Sequence, residues 1–149
     1  MAAAQLKQDI VQSDLLDLVG YNLKRAYMVI HQDFIEALGD LDLRQRTFSV
    51  LSLVATNPGI SQSDLARTLG IERSGTVVIV DELENRNLIR RDRVEGDRRS
   101  YALNPTEAGK NLYQKAATSI RNHENAILAD LGDTAREQLV ELLQKIHKI

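Results

Sequence analysis

Turn formers cut the middle of this chain into short pieces, and no other feature constrains the fold as much. Asn57-Pro58-Gly59, Gly70, Asn87, Glu95-Gly96-Asp97 and Pro105 fall in quick succession. Proline cannot continue a helical ladder, glycine enters left-handed turns freely, and asparagine tolerates the left-handed region better than most residues. Only short elements fit between such punctuation. Residues 61–71 read as a short helix, with Ser61 and Asp64 as a weak capping box and Leu65, Ala66 and Leu69 on the apolar side. Residues 73–86 read as a second helix, with Val77, Val80, Leu83 and one of Val78 or Ile79 inward. Residues 88–94 and 100–104 read as two short strands around a charged turn.

Longer helices flank this segment. Leu15, Leu16, Val19, Leu23, Ala26, Tyr27, Ile30, Phe34 and Leu38 recur at three- and four-residue steps, predicting a helix over 13–38 with Ser13 as cap and a left-handed Gly39 as its end. A second helix is predicted over 43–56, a long one over 107–131, and a last one over 134–147 after Gly132-Asp133. The expected architecture is mainly α with a small β-hairpin. The first and last helices carry more apolar surface than a small core can cover, so a two-fold homodimer is expected to bury it.

Charge and composition narrow the chemistry. The formal net charge is -2, but binding depends on where charges sit. Arg86, Arg90, Arg91, Arg93, Arg98 and Arg99 cluster in the hairpin region, opposed there only by Asp92, Glu95 and Asp97. With no cysteine, a thiol redox sensor and a thiolate zinc site are excluded, and a reducing cytoplasm is the expected location. His31, His123 and His147 have no paired ligand spacing, so neither metal nor cofactor is expected. No apolar run approaches a membrane span, and residues 1–12 lack the form of a secretion signal. There is no Gly-rich phosphate cradle and no nucleophile with a histidine near it in sequence, so an enzyme is not expected.

Two short helices joined by a turn and followed by a basic hairpin suit duplex DNA. The second helix fits a major groove, and a hairpin arginine can enter the adjacent minor groove. A solvated charged hairpin is the plainer reading of the arginines, and Arg86, Arg90 and Arg91 could instead pair with Asp81, Glu82 or Glu84.

The residues from 41 to 109 resemble the MarR (multiple antibiotic resistance regulator) family of winged helix-turn-helix regulators. The matching pieces are Asn57-Pro-Gly59, Gln62-Ser-Asp-Leu-Ala66, Leu69-Gly-Ile71, Val80-Asp-Glu-Leu-Glu84 and Arg86-Asn-Leu-Ile89. The most specific is Asp97-Arg-Arg-Ser100, followed by Leu103, Thr106 and Gly109 with one residue of slack after Leu103. The resemblance implies a DNA-binding winged domain over 41–105 and a helical dimerisation region formed by 1–40 and 106–149. It implies that Arg99 enters the minor groove beside Arg98, with Asp97 orienting the wing by ion pairing. Arg73, Ser74, Gly75 and Thr76 would start the base-facing helix, Ser61 and Gln62 would meet phosphate, and Arg91 is a further expected DNA contact. The chain departs from many relatives at Val77-Val78, where Thr-Arg is common, and at Asn87, where Gly is usual. Exposed valines on that helix would also suit a protein-interaction module without a DNA role.

The same resemblance implies an effector cleft between the dimer helices and the winged domain, with Tyr27, His31, Arg44, Arg46 and Phe48 as candidates. An aromatic wall with one or two cations suits a carboxylate or a phenol. The segments 23–27 and 48–51 look like the branch that responds to aromatic acids or their coenzyme A thioesters. The plainer readings are helix packing for Tyr27 and His31, and solvation for Arg44 and Arg46.

Overall fold

The computed structural model describes residues 11–148; residues 1–10, which hold most of the segment read as lacking a secretion signal, lie outside them. The elements are α1 (Ser13–Leu16), α2 (Val19–Gly39), α3 (Gln45–Thr56), β1 (Ile60–Ser61), α4 (Gln62–Leu69), α5 (Arg73–Asn85), β2 (Ile89–Val94), β3 (Asp97–Pro105), α6 (Glu107–Ile127), a 3-10 turn (Ala129–Leu131) and α7 (Gly132–His147). The helix predicted over 13–38 is broken after α1, where Leu18 is extended. The Asn22 amide holds that break by donating to the carbonyls of Leu16 (2.7 Å) and Leu18 (2.9 Å). Ser13 does not cap it. Gly39 stays helical, and Asp42 takes the left-handed conformation instead (φ 51°).

Local signals behave as their chemistry requires in the winged segment. The backbone N–H of Asp64 donates to Ser61 Oγ (3.0 Å), and the Ser61 hydroxyl donates back to the Asp64 carboxylate (2.8 Å). Gly70 caps α4 in the left-handed region, and Asn87 (φ 55°) and Gly96 (φ 85°) make the turns before and within the hairpin. The sheet is antiparallel in the order β1-β3-β2. The two-residue strand β1, unmarked in the sequence, pairs Ile60 with Leu103 and Ser61 with Ala102. It ties the start of α4 to the base of the hairpin.

The core gathers Val50, Leu51 and Val54 of α3, Leu65 of α4, Ile79, Val80 and Leu83 of α5, Ile89 and Leu103 of the sheet, and also Leu38 of α2 and Ala116 of α6. Full burial of each large aliphatic side chain contributes about 1.5–3 kcal/mol. The flanking helices thus share a core with the winged segment. Phe48 lies between Phe34 (edge-on, 5.8 Å) and Tyr113 (6.2 Å), which pins α3 to both α2 and α6. The Ser119 hydroxyl donates to Ala37 O (2.8 Å), and His123 Nδ1 lies 3.0 Å from the Asp33 carboxylate, so α6 is also latched along α2.

The junction of hairpin and α6 accounts for the Thr106 and Gly109 of the sequence motif. Thr106 caps α6 by accepting from Gly109 N–H (3.0 Å), and its hydroxyl donates to Asn87 O (2.7 Å). Its own N–H donates to Leu88 O (3.0 Å). Gly109 sits directly on that carbonyl, where a Cβ would lie 1.9 Å from Leu88 O. Only glycine allows the approach. At the other end, no residue of α7 is buried, and Leu139, Val140, Leu142 and Ile146 are exposed on it.

Candidate nucleic-acid interface and effector cleft

Three segments converge on a groove of about 260 Å3 lined by Ser61, the cap of α4, with Gln62 and Ser63 of α4, by Arg73 and Val77 of α5, and by Arg99, Ser100 and Tyr101 of β3. The capping box and β1 fix the first set, α5 packing fixes the second, and the hairpin register fixes the third. Among the described residues Arg73, Arg98 and Arg99 make no ion pair, so their charges are free for an external anion.

Among the described residues Asp97 makes no ion pair; it organises the wing by hydrogen bonds instead. Its carboxylate accepts from the Ser100 hydroxyl (2.7 Å) and from the backbone N–H of Arg99 (2.9 Å). These two bonds, the hydroxyl first, hold it below the ordinary aspartate pKa. Backbone capture leaves the Arg99 guanidinium unengaged while its root is fixed.

Four expectations for α5 and the hairpin need correction. Thr76 is 1% exposed, and its hydroxyl donates to Glu72 O (3.1 Å), so it faces the core rather than DNA. Gly75 turns away from the groove and lines a second cleft. Val77, expected inward, is 39% exposed and lines the groove, because the buried stripe of α5 is Thr76, Ile79, Val80 and Leu83. Arg91 is only 18% exposed: its guanidinium pairs with Asp81 and Glu84 and donates from Nε to Gln62 Oε1 (2.9 Å). Burial works against its charge, but the Asp81 and Glu84 carboxylates outweigh burial and raise its pKa. Ser74 is exposed beside Arg73 at the start of α5. Arg86 donates to the carbonyls of Asp42 (2.8 Å) and Leu41 (3.4 Å), fastening the α2–α3 loop to the end of α5.

The second cleft, of about 640 Å3, opens between α2, the start of α3 and the back of α5. His31, Phe34, Ile35 and Leu38 form one wall, Leu43 to Thr47 the floor, and Gly75, Val78, Ile79 and Glu82 the other wall. His31, Arg44 and Arg46 are brought together there as expected from sequence. Tyr27 and Phe48 are not part of its lining: Tyr27 stacks outside on His31 (5.1 Å), and Phe48 belongs to the aromatic cluster of the core. The α5 wall was missed in the sequence, although 75, 78, 79 and 82 have the spacing of one helical face. Among the described residues neither Arg44 nor Arg46 has an ion-pair partner, and Glu82 is the one acid in the lining.

The sequence model of the MarR family matches residues 41–100. The transcriptional repressor CouR, solved bound to a 23-mer DNA duplex, is 35% identical and superposes with a TM-score of 0.88, over 94% of this chain and 99% of CouR. The chain belongs to the MarR family. MarR-family proteins of this kind are winged helix-turn-helix, DNA-binding transcriptional regulators rather than enzymes. CouR from Rhodococcus jostii RHA1, solved bound to p-coumaroyl-CoA, is 31% identical over 89% of this chain and 93% of that one, with a TM-score of 0.78. A putative transcriptional regulatory protein for the hcr operon of Thauera aromatica is 28% identical over 94% of this chain and 85% of its own length. Among the described residues no helix is long and apolar enough to cross a membrane.

Proposed function

We propose that this MarR-family chain works as a homodimeric repressor whose hold on operator DNA is released by an aromatic acid or its coenzyme A thioester. The observation that carries the reading is the double use of α5. One side gives Arg73 and Val77 to the basic groove, and the other gives Gly75, Val78 and Ile79 to the cleft. A ligand seated in the cleft therefore touches the helix that meets DNA. It shifts the equilibrium to the extent that it binds the non-binding arrangement of the dimer better. The likeness to CouR, solved with DNA and with p-coumaroyl-CoA, supports both halves.

Residue roles follow from the geometry. Arg73, Arg98 and Arg99 meet the DNA backbone or minor groove, Ser61, Gln62 and Ser74 supply neutral donors, and Val77 offers contact to a thymine methyl group. The apolar wall of Phe34, Leu38, Val78 and Ile79 takes an aromatic ring, while the exposed Arg44 and Arg46 suit a carboxylate or the phosphates of coenzyme A. The exposed apolar residues of α2 and α7 would be covered by a second copy, which sets the two α5 helices about one turn of DNA, roughly 10 base pairs, apart.

The exposure of Val77 and Val78 also fits a protein-interaction module, but each valine lies beside the unpaired arginines of a groove or cleft. Fluorescence anisotropy with DNA from the chain's own upstream region, with and without p-coumaroyl-CoA, separates the readings. Specific, salt-sensitive binding that Arg99→Ala weakens at least tenfold, and that the thioester relieves, is the expected result. Absence of any salt-sensitive binding would sink the DNA reading. Unchanged affinity with p-coumaroyl-CoA and with free aromatic acids would sink the effector half.

A further inference from the structure

Arg91 ties three elements into one unit. It stands on β2, pairs with Asp81 and Glu84 on α5, and donates from Nε to Gln62 Oε1 at the start of α4 (2.9 Å). Its own backbone N–H also faces Glu84 (3.4 Å). Two carboxylates already answer its single positive charge, so it has no free charge to offer a phosphate. Gln62, by contrast, lines the groove with Arg73 and Arg99.

The chemistry of the Arg91–Gln62 bond decides which way the amide points. Arginine is a donor at every nitrogen and accepts nothing, so only the oxygen of the Gln62 amide can face it. The amide nitrogen must then point the other way, with two N–H donors that have no partner among the described residues. Resting on the DNA-binding reading of the groove, we propose that Arg91 is a positioning residue: it holds the Gln62 amide with its NH2 aimed at a DNA phosphate and makes no phosphate contact itself. Asp81 and Glu84 in turn fix the Arg91 guanidinium against the Gln62 amide.

A double-mutant cycle on the full-length protein tests this, read as operator affinity by fluorescence anisotropy. Arg91→Lys keeps the charge but loses the planar fork that bridges Gln62, Asp81 and Glu84. It should weaken binding about tenfold in the parent and less than twofold once Gln62→Ala has removed the amide, because the effect of Arg91 runs through Gln62. Additive losses would overturn the proposal, as would an Arg91→Lys protein that binds as the parent does. Gln62→Glu is the second variant. It keeps an oxygen for Arg91, so its melting temperature should match or exceed the parent's, yet it turns a negative oxygen toward the phosphate. Binding should fall more than tenfold, and parent-like binding by this variant would overturn the proposal even if Arg91→Lys proved unstable. The parent is measured first: if it binds no DNA, the DNA reading falls and takes this assignment with it, whereas a binding parent with an additive cycle overturns the assignment alone.

Discussion

Replacing Gly109 by alanine should damage the fold far more than an alanine in a helix ordinarily does. The new Cβ would stand 1.9 Å from Leu88 O and 2.9 Å from Leu88 C, both backbone atoms that cannot rotate aside. To reach even 3.0 Å from that oxygen, α6 must retreat by about 1.1 Å, the difference between 3.0 and 1.9 Å. Retreat stretches the bond from Thr106 N–H to Leu88 O, now 3.0 Å, and the bond from the Thr106 hydroxyl to Asn87 O, now 2.7 Å. Losing two such bonds costs about 2 kcal/mol, and the strain of overpacking adds about 1–3 kcal/mol. The better helix propensity of alanine returns less than about 1 kcal/mol. The net loss is then roughly 2–4 kcal/mol, or a fall in Tm on the order of 5–15 °C for a chain of this length. Denaturant unfolding at one fixed protomer concentration measures it, since dimerisation couples stability to concentration. Ala108→Gly, at the exposed preceding position, sets the propensity contribution and should cost no more than about 1 kcal/mol. A Gly109→Ala protein within about 0.5 kcal/mol of the parent would refute the reasoning, because it would mean that α6 does not rest on Leu88 O.

Thr106→Ala removes the cap of α6 and the hydroxyl bond to Asn87 O, and should cost about 1–2 kcal/mol, while Thr106→Ser should stay near the parent in the same denaturant assay. Because the folded-state pKa of Asp97 is depressed, its contribution to wing stability is complete above the ordinary aspartate value and is lost as pH falls through the folded value. The NMR chemical shift of the Arg99 amide proton should therefore stay constant from neutral pH down to the ordinary aspartate range and move only below it; a shift that titrates near neutral pH would show that the carboxylate is not the acceptor. Leu142→Glu puts a charge on the exposed apolar residues of α7 and should shift sedimentation from dimer to monomer at micromolar concentration, whereas an unchanged dimer would place the interface elsewhere.

Features that depend on neighbours a few residues away are legible in the order of residues alone. The Ser61–Asp64 box, the left-handed Asn87 and the Gly96 turn are local, and each was legible because a cap or a turn needs only its own residue types. The resemblance carried by Asp97, Arg99, Thr106 and Gly109 supplied the family, although the reason for Gly109 is visible only against Leu88 O. Tertiary structure decided everything that depends on rotation or on distant partners. A helical pattern of Thr76, Val77, Val78, Ile79 and Val80 is apolar nearly all round, so packing alone chose Thr76 for the core, Val77 for the groove and Val78 for the cleft. For Arg91 the sequence left two readings open, DNA contact or pairing with Asp81, Glu82 or Glu84; the fold selects Asp81 and Glu84 and adds the Gln62 amide of α4. Sequence lists its charges one after another; only the folded chain shows which of them already have partners.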